Sequence, residues 1–313
     1  MLAALDHLMC DATAGDPVTG LKWTHKSLRA LQHELARRGY RISTPTVARL
    51  LRASDYALRV NRKKLAGKQS PGRDEQFLYI AKLRAAFLKR QSPVISVDTK
   101  KRELVRRFRQ AGRQWRRAPH EVLIYDFRST AAGVAIPYGI YDVGRNHGYV
   151  VVGVSHDTAA FAVAAIRSWW VQTGRQAYLS ATELLIEADC GGSNGNRCRA
   201  WKAGLQGFAD EFAMTITVTH YPTGASKWNP VEHRCFNLIS GNWAGQPLES
   251  YETILKHIRA TKSASGFRCQ ARLDKRAYAT GIKISPQEVA NLCIEKHKVF
   301  SHWNYTIRPR LKA

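Results

Sequence analysis

Three observations predict an α/β chain: a mixed sheet flanked by helices, with a small all-α unit ahead of it. The first is a pair of short apolar runs, 94–98 and 184–189, each of strand length and each ending in an aspartate. The second is a change of periodicity near Ser92, from apolar residues at helical spacing to strand-like runs alternating with helical ones. The third is the break after the second aspartate, Cys190-Gly191-Gly192-Ser193-Asn194-Gly195, which reads as a tight turn capping a following helix over 197–213.

At 313 residues the chain is long enough for two or three domains, and a hydrophobic fraction of 44% is that of a globular protein. The formal charge of +25 implies a polyanionic partner, for which nucleic acid is the default. No segment joins a basic face to a strongly apolar one, and no run of about 18 apolar residues occurs, so neither membrane binding nor spanning is expected. The first ten residues are unlike a signal peptide, so a cytosolic protein is expected. None of the six cysteines forms a C-x-x-C pair, which argues against a zinc knuckle and leaves them as small apolar residues.

In chain order, 22–57 reads as two short helices joined by a turn. Thr24 is placed to cap the first, with Leu28, Leu31 and Leu35 on its inner face, and Gly39 ends it. Ser43 or Thr44 caps the second, with Pro45 near its first turn and Val47, Leu50 and Leu51 inward. That outline fits a helix-turn-helix offering Arg49 and Arg52 to DNA, and fits an ordinary helical hairpin equally. A basic linker with Arg62, Lys63 and Lys64 follows, then a helix over 74–90. The expected divisions are 1–60 for the helix-turn-helix region, 61–91 for linker and helix, 92–245 for the core and 246–313 for an α+β extension.

Strand one covers 94–98. Residues 100–117 then hold nine Lys/Arg against one acid, Glu103, a density that suits phosphate contact by Lys100, Lys101, Arg106, Arg107, Arg109 and Arg113. Residues 133–141 and 149–155 form an antiparallel hairpin, 157–170 a helix stopped by Gly174, 184–189 the fourth strand and 215–220 a fifth. Farther on come a helix over 250–262, a strand over 267–273 and a helix opened by the capping box Ser285-Pro286-Gln287-Glu288. The core order is therefore β-β-β-α-β-α-β-α, which is the topology of the ribonuclease H-like fold.

Within that order Asp98 and Asp189 end strands, and Glu232 begins a helix in Lys227-Trp228-Asn229-Pro230-Val231-Glu232-His233-Arg234. Alone, Asp189 reads as a turn residue, and Asn229 with Glu232 as a capping box. Together, three carboxylates suit two Mg²⁺ ions about 3.5–4 Å apart, as DNA phosphoryl transfer uses, with Asp98 bridging. Lys227, His233 and Arg234 lie beside a phosphate in that reading, and Trp228 is either a stacking surface or, more simply, a buried core residue. Ser193 lacks a G-x-S-x-G elbow, and the Gly-rich turn lacks the lysine of a P-loop.

At these residues the chain resembles the Rhodopirellula-type transposase family of DDE insertion-sequence enzymes. The matching stretches include Pro93-Val94-Ile95-Ser96-Val97-Asp98-Thr99-Lys100-Lys101, His156-Asp157-Thr158-Ala159, Gly192-Ser193-Asn194-Gly195, Ser226-Lys227-Trp228-Asn229, Glu232-His233-Arg234 and Trp303-Asn304-Tyr305-Thr306-Ile307-Arg308-Pro309. The resemblance implies a Mg²⁺-dependent DDE transposase, with Mn²⁺ as a substitute ion. Asp98, Asp189 and Glu232 are its catalytic acids and metal ligands, and double-stranded DNA at transposon ends and target is its partner, engaged as a homo-oligomer. Cys190 stands where the family has a third glycine. The family also carries a further helix-turn-helix upstream, so the chain reads as N-terminally shortened. The alternatives are a DNA-binding remnant defective in transposition and a ribonuclease H-like nuclease that hydrolyses without joining.

Overall fold

The computed structural model describes residues 1–15, 22–24, 27–54, 56 and 71–310. They fall into two compact units, Met1–Leu65 and Ala66–Ala313. Arg62, Lys63 and Lys64, and with them most of the expected linker, lie outside the described residues.

The first unit comprises α1 (Leu2–Ala12), β1 (Thr13–Gly15), β2 (Lys22–Thr24), α2 (Leu28–Arg37) and α3 (Thr44–Ala53). Leu5 and Leu8 of α1 close a small core with Leu31, Leu35 and Val47. The sequence reading missed α1, and it missed the three-residue β1–β2 pair, which is too short to carry a periodicity. It also misplaced a cap. Thr24 belongs to β2, and α2 starts after Ser27, whose side chain accepts from the Ala30 N–H. With the start moved on, Leu28 falls in the first turn and is exposed instead of facing inward. Ser43 caps α3 with Pro45 in the first turn, and Gly39, at φ 88°, supplies the left-handed turn between the helices. Arg49 and Arg52 are exposed on α3.

The second unit is a mixed α/β layer structure of ribonuclease H-like topology. Its strands are β3 (Val94–Thr99), β4 (Glu103–Val105), β5 (Gly133–Asp142), β6 (His147–Gly153), β7 (Glu183–Ala188), β8 (Thr215–His220), β9 (Arg268–Asp274), β10 (Ile294–Lys296) and β11 (Asn304–Ile307). They form one nine-stranded sheet in the order β10-β11-β8-β7-β3-β5-β6-β9, with β4 added on β5. The central strand β3 is parallel to β7, and β7 to β8, whereas β5 and β6 are antiparallel to their inner neighbours. Helices cover both faces, which is why β3 and β7 read as nearly unbroken apolar runs. On one face α5 (Ala159–Trp169) and α7 (Arg199–Phe212) bury Phe161, Ile166, Trp201 and Leu205 against Ile95, Val97 and Ile186. On the other, Val231 and Phe236, α8 (Asn237–Asn242) and α9 (Tyr251–Ala260) pack on Val150 and Val152. A short α10 (Pro286–Ala290) carries the expected capping box at Ser285 and Glu288.

Two helix boundaries differ from expectation. Gly174 does not stop α5: a π-helical turn, Trp170–Gly174, continues it into α6 (Arg175–Ala177). The Gly-rich stretch forms a 3₁₀ turn, Gly192–Asn194, and α7 begins only after Cys198, which makes no side-chain cap. Strand β11, between the edge strand β10 and β8, was not expected. All four of its residues are buried, and it runs antiparallel to β8.

The remaining helix, α4 (Arg73–Lys89), is held to the sheet by polar side chains. Arg84 grips buried Glu187 with two bonds, Nε–Oε1 at 2.7 Å and a second nitrogen to Oε2 at 2.6 Å, and Tyr221 donates to the same carboxylate. Fully buried Gln76 and Asn304 exchange amide hydrogen bonds of 2.8 and 2.7 Å, and Gln76 also donates to the His220 carbonyl at 2.9 Å. Replacing Gln76 by Leu strands both partners away from water, so the unfolding free energy in urea is expected to fall by about 2–3 kcal/mol. A near-neutral Gln76→Leu change would show that water reaches these groups.

Candidate active site

Parallel register sets Val97 of β3 beside Ala188 of β7, so the next residues, Asp98 and Asp189, leave adjacent strands at the same sheet end. Asp98 is the fifth residue of β3 and points to the face opposite Val97, the face on which Ser96 also lies. Across β5 its partner is Gly139. A Cβ at Gly139 would stand 2.4 Å from the Phe236 ring and 3.0 Å from Val231, so only glycine admits the segment that brings Glu232 in. Glu232 shares a side-chain hydrogen bond with Asp98, and its charge acts on Asp189 as well. All three acids expected from the sequence therefore meet at one place.

The local structure that achieves this is not the expected capping box. Asn229 is fully buried, and its amide nitrogen donates to the Val97 carbonyl and to Asp189 Oδ1, both at 3.1 Å. Its Oδ1 accepts from the Ser96 hydroxyl. Ser96 in turn accepts from the Val231 N–H at 2.8 Å and so caps the helix start from the strand beside it. Glu232 opens a π-helical turn, Glu232–Phe236, and is turned to Asp98 and not back to the cap.

A second chain of bonds steadies Asp189 from behind. His220 is buried and burial lowers its pKa to about 4, so its ring is neutral and Nδ1–H donates to the Asp189 carbonyl at 2.8 Å. Nε2 faces the Tyr305 hydroxyl at 3.3 Å, which accepts from Trp201 at 3.1 Å. Ser96, Asn229, His220 and Tyr305 all escaped the sequence reading as site residues. The one available signal was a serine in the otherwise apolar run Val94-Ile95-Ser96-Val97.

Electrostatically the site is strained. Burial, then the Asp189 charge, pushes the Asp98 carboxyl up to about 8. Burial, then Glu232 against the Asn229 bond, takes Asp189 to about 6. Burial and the neighbouring acids thus disfavour ionisation of Asp98, and the carboxyl groups face one another. Among the described residues no three His, Cys, Asp or Glu side chains stand ready to hold a metal ion as they are. The donor set nevertheless fits a hard divalent cation. The oxygens are carboxylate, and the mutual repulsion is what a cation relieves. Among the described residues, the fully buried Tyr138 hydroxyl, under the charges of Asp98 and Asp157, also finds no hydrogen-bond partner.

Beside Glu232, a cleft of about 430 Å³ is lined by Lys100, Lys101, Lys227 and His233 as well as by Glu232 itself. Lys100 is nearly buried, ion-paired to Glu103 at 2.7 Å and set over the Trp243 ring. Arg107 pairs with Glu249, and Arg106 donates to the Thr130 carbonyl, whereas Lys101, Arg109, Arg113 and Arg234 are exposed. Trp228 is 53% exposed, which overturns the buried reading; Phe77 meets its ring edge-on and Lys227 lies over it at 5.3 Å.

The model of the Rhodopirellula transposase DDE domain matches residues 4–309. The chain belongs to that family. Its function class is accordingly that of a transposase. No curated protein sequence matches the chain. Similar solved structures include the Mos1 transposase paired-end complex with the left transposon end, at 14% identity and TM-score 0.45, covering 82% of this chain and 69% of that one. The Mos1 strand transfer complex matches at 15% and 0.46 over 82% and 68%, and the Mos1 mariner paired-end complex with Mn at 16% and 0.43 over 82% and 69%. Among the described residues no helix is long and apolar enough to cross a membrane.

Both aspartates have pKa values raised above the ordinary 3.8, so the fold favours their protonated forms. Stability from these groups is complete below that value and is lost as pH rises through about 6 and then about 8. In chelator, Asp98→Asn is expected to melt increasingly above wild type from pH ~5 to ~8.5. A constant gap across that range would mean that the two carboxyls do not feel each other.

Proposed function

We propose that the chain cuts DNA strands at the ends of a mobile element and joins them to target DNA, using Asp98, Asp189 and Glu232 as ligands for two Mg²⁺ or Mn²⁺ ions. The observation that supports this reading is the mutual influence of the three carboxylates, with Glu232 also lining a basic cleft. Bound there, the ions would supply a nucleophile at neutral pH and charge neutralisation on the phosphate. Asp98 would hold them as the ionised carboxylate, a form that their charge would favour. Asn229 holds Asp189 and the start of the Glu232 segment in register, and Ser96 keeps the helix end fixed.

The surroundings are suited to a DNA backbone. Lys101, Lys227, His233 and Arg234 line or border the cleft and would take phosphate charge, with Lys100 available only by leaving Glu103. Arg106, Arg107, Arg109 and Arg113 extend the basic surface along the loop after β4 and are suited to backbone and not base contact. The exposed face of Trp228 offers a surface for a displaced base. In the first unit, α3 presents Arg49 and Arg52 as a recognition helix, with Arg62, Lys63 and Lys64 following it in sequence. Joining two ends would require a second copy of the chain on the DNA.

The test uses a duplex with a labelled 3′-hydroxyl end, with and without Mg²⁺. Nicking and transfer of label into longer DNA are both expected. Asp98→Asn, Asp189→Asn and Glu232→Gln should each lower both by at least on the order of 10³-fold, with the triple variant little worse, because the acids act as one unit. Metal-dependent nicking without transfer would support the hydrolytic nuclease instead. Full activity in any single variant would remove that residue from the site.

A further inference from the structure

We infer that the large cavity at the other end and other face of the sheet from Asp98 is a second site for DNA phosphates, holding a segment distinct from the one over the acids. The choice of DNA as ligand rests on the function proposed above; the site itself rests on a row of cations. In β3, Asp98 stands against Gly139 but Ile95 stands against Asp142. Three strand residues, roughly 10 Å, and a change of face therefore separate the two places. From Asp142 a ladder row crosses the sheet: Asp142 pairs with His147, His147 with Arg268, and Arg268 with Lys262. Paired residues project to the same face, so these side chains are neighbours, and Arg145 joins them from the turn between β5 and β6.

A cavity of about 1110 Å³ opens over this row, bounded by Gln172 and Thr173 of the π-helical turn after α5. Like charges directly opposite one another destabilise a sheet. Elsewhere the same unit answers its arginines with acids, as in Arg84–Glu187, Arg90–Glu183, Arg167–Glu211 and Arg276–Asp274. Here it does not. Among the described residues, Arg145, Lys262 and Arg268 make no close ion pair with a carboxylate, and only Arg145 feels the charge of Asp142. The one acid, Asp142, is buried and accepts from the Tyr178 hydroxyl at 2.7 Å and the Arg145 N–H at 3.1 Å. Burial and then the Arg145 charge lower the pKa of His147, so the imidazole adds no further charge but keeps its hydrogen-bonding nitrogens.

The lining also says what kind of anion fits. The aromatic residues beneath the row, Tyr149 and Trp169, are only 2% and 3% exposed, so no ring face is free to stack a base or a nucleotide. Charges and amides without a base platform are the means of reading a backbone. The volume lies just above the roughly 300–1,000 Å³ of small-ligand pockets, and so suits part of a longer polyanion better than one compact molecule.

The experiment measures binding of the full chain to a labelled duplex of about 40 base pairs, in chelator, across a salt series. Wild type is compared with Arg145→Gln/Arg268→Gln and with Lys227→Gln/Arg234→Gln. Losing two phosphate contacts at the distant row should weaken binding several-fold and make the slope of log K against log salt shallower by about 1.8. A single Arg268→Gln variant should melt higher than wild type at low salt, since it relieves the like-charge row, and so separates lost contact from lost folding. If the distant pair of substitutions leaves affinity and slope unchanged while the pair beside Glu232 lowers them, the second site is overturned and the proposed function stands. If ATP protects wild type against melting in a manner that Arg268→Gln abolishes, while duplex binding is unchanged, the site takes small phosphates and not DNA. If wild type fails to bind duplex at all, the DNA reading of both sites falls.

Discussion

Asn229 makes three hydrogen bonds at once, to the Val97 carbonyl, the Asp189 carboxylate and the Ser96 hydroxyl, from a position with no access to water. Each bond joins a different part of the site. The first fixes the segment to the central strand, the second orients one acid, and the third couples the helix start to that strand through the Val231 N–H. Removing one partner would leave the others unsatisfied in a low-dielectric place, which is the expensive failure. A carboxylate at the same position would set a fourth negative charge beside three. The amide is therefore the group that permits three acids to gather, because it binds a carboxylate without adding charge.

The π-helical turn at Glu232 arises from the same constraint. Ser96 and Asn229 hold the start of the segment against β3, while Phe236 and Val231 must press into the space left by Gly139. Glu232 must also reach Asp98. A wider turn satisfies all three requirements where a regular α-turn would rotate one side chain away. The position resembles other places where a fold gives up local regularity to hold chemistry, in that the cost is local and the surrounding core is tightly buried.

Much of the second unit was legible in the sequence because its strands obey simple rules. β3 and β7 are covered on both faces, so they appear as apolar runs, and an aspartate at the end of each marks the same sheet end once the strands are parallel. The hairpin β5–β6 and strand β8 were legible for similar reasons. What failed was whatever depended on partners far away in sequence. Asn229 looked like a cap because its local context, with Glu232 three residues on, is that of a cap, and nothing local discloses Ser96, 133 positions earlier. Trp228 looked like core, and is exposed because Phe77, from α4, takes its edge and leaves a face outward. β11 was missed because four residues carry no reliable period; its place is set by pairing with β8 and by the amide exchange between Asn304 and Gln76. Thr24 failed as a cap for the opposite reason, since the competing pairing with Thr13 lies close by but in an element too short to foresee.

Two places in the second unit hold like charges together: negative at Asp98, Asp189 and Glu232, positive at Arg145, Arg268 and Lys262. Elsewhere the unit neutralises buried or half-buried charge with some care, as Arg84 and Glu187 do. A chain under selection for stability alone has inexpensive remedies at both places, an asparagine for one acid and a glutamate for one cation. Both places also adjoin a π-helical turn, at Glu232–Phe236 and at Trp170–Gly174. Local irregularity and uncompensated charge are independent departures from what a stable core prefers, and their coincidence at two sites on opposite faces of one sheet is hard to assign to packing. The coincidence has a physical cause if each site is completed by charge from outside the chain, cations at the first and phosphates at the second.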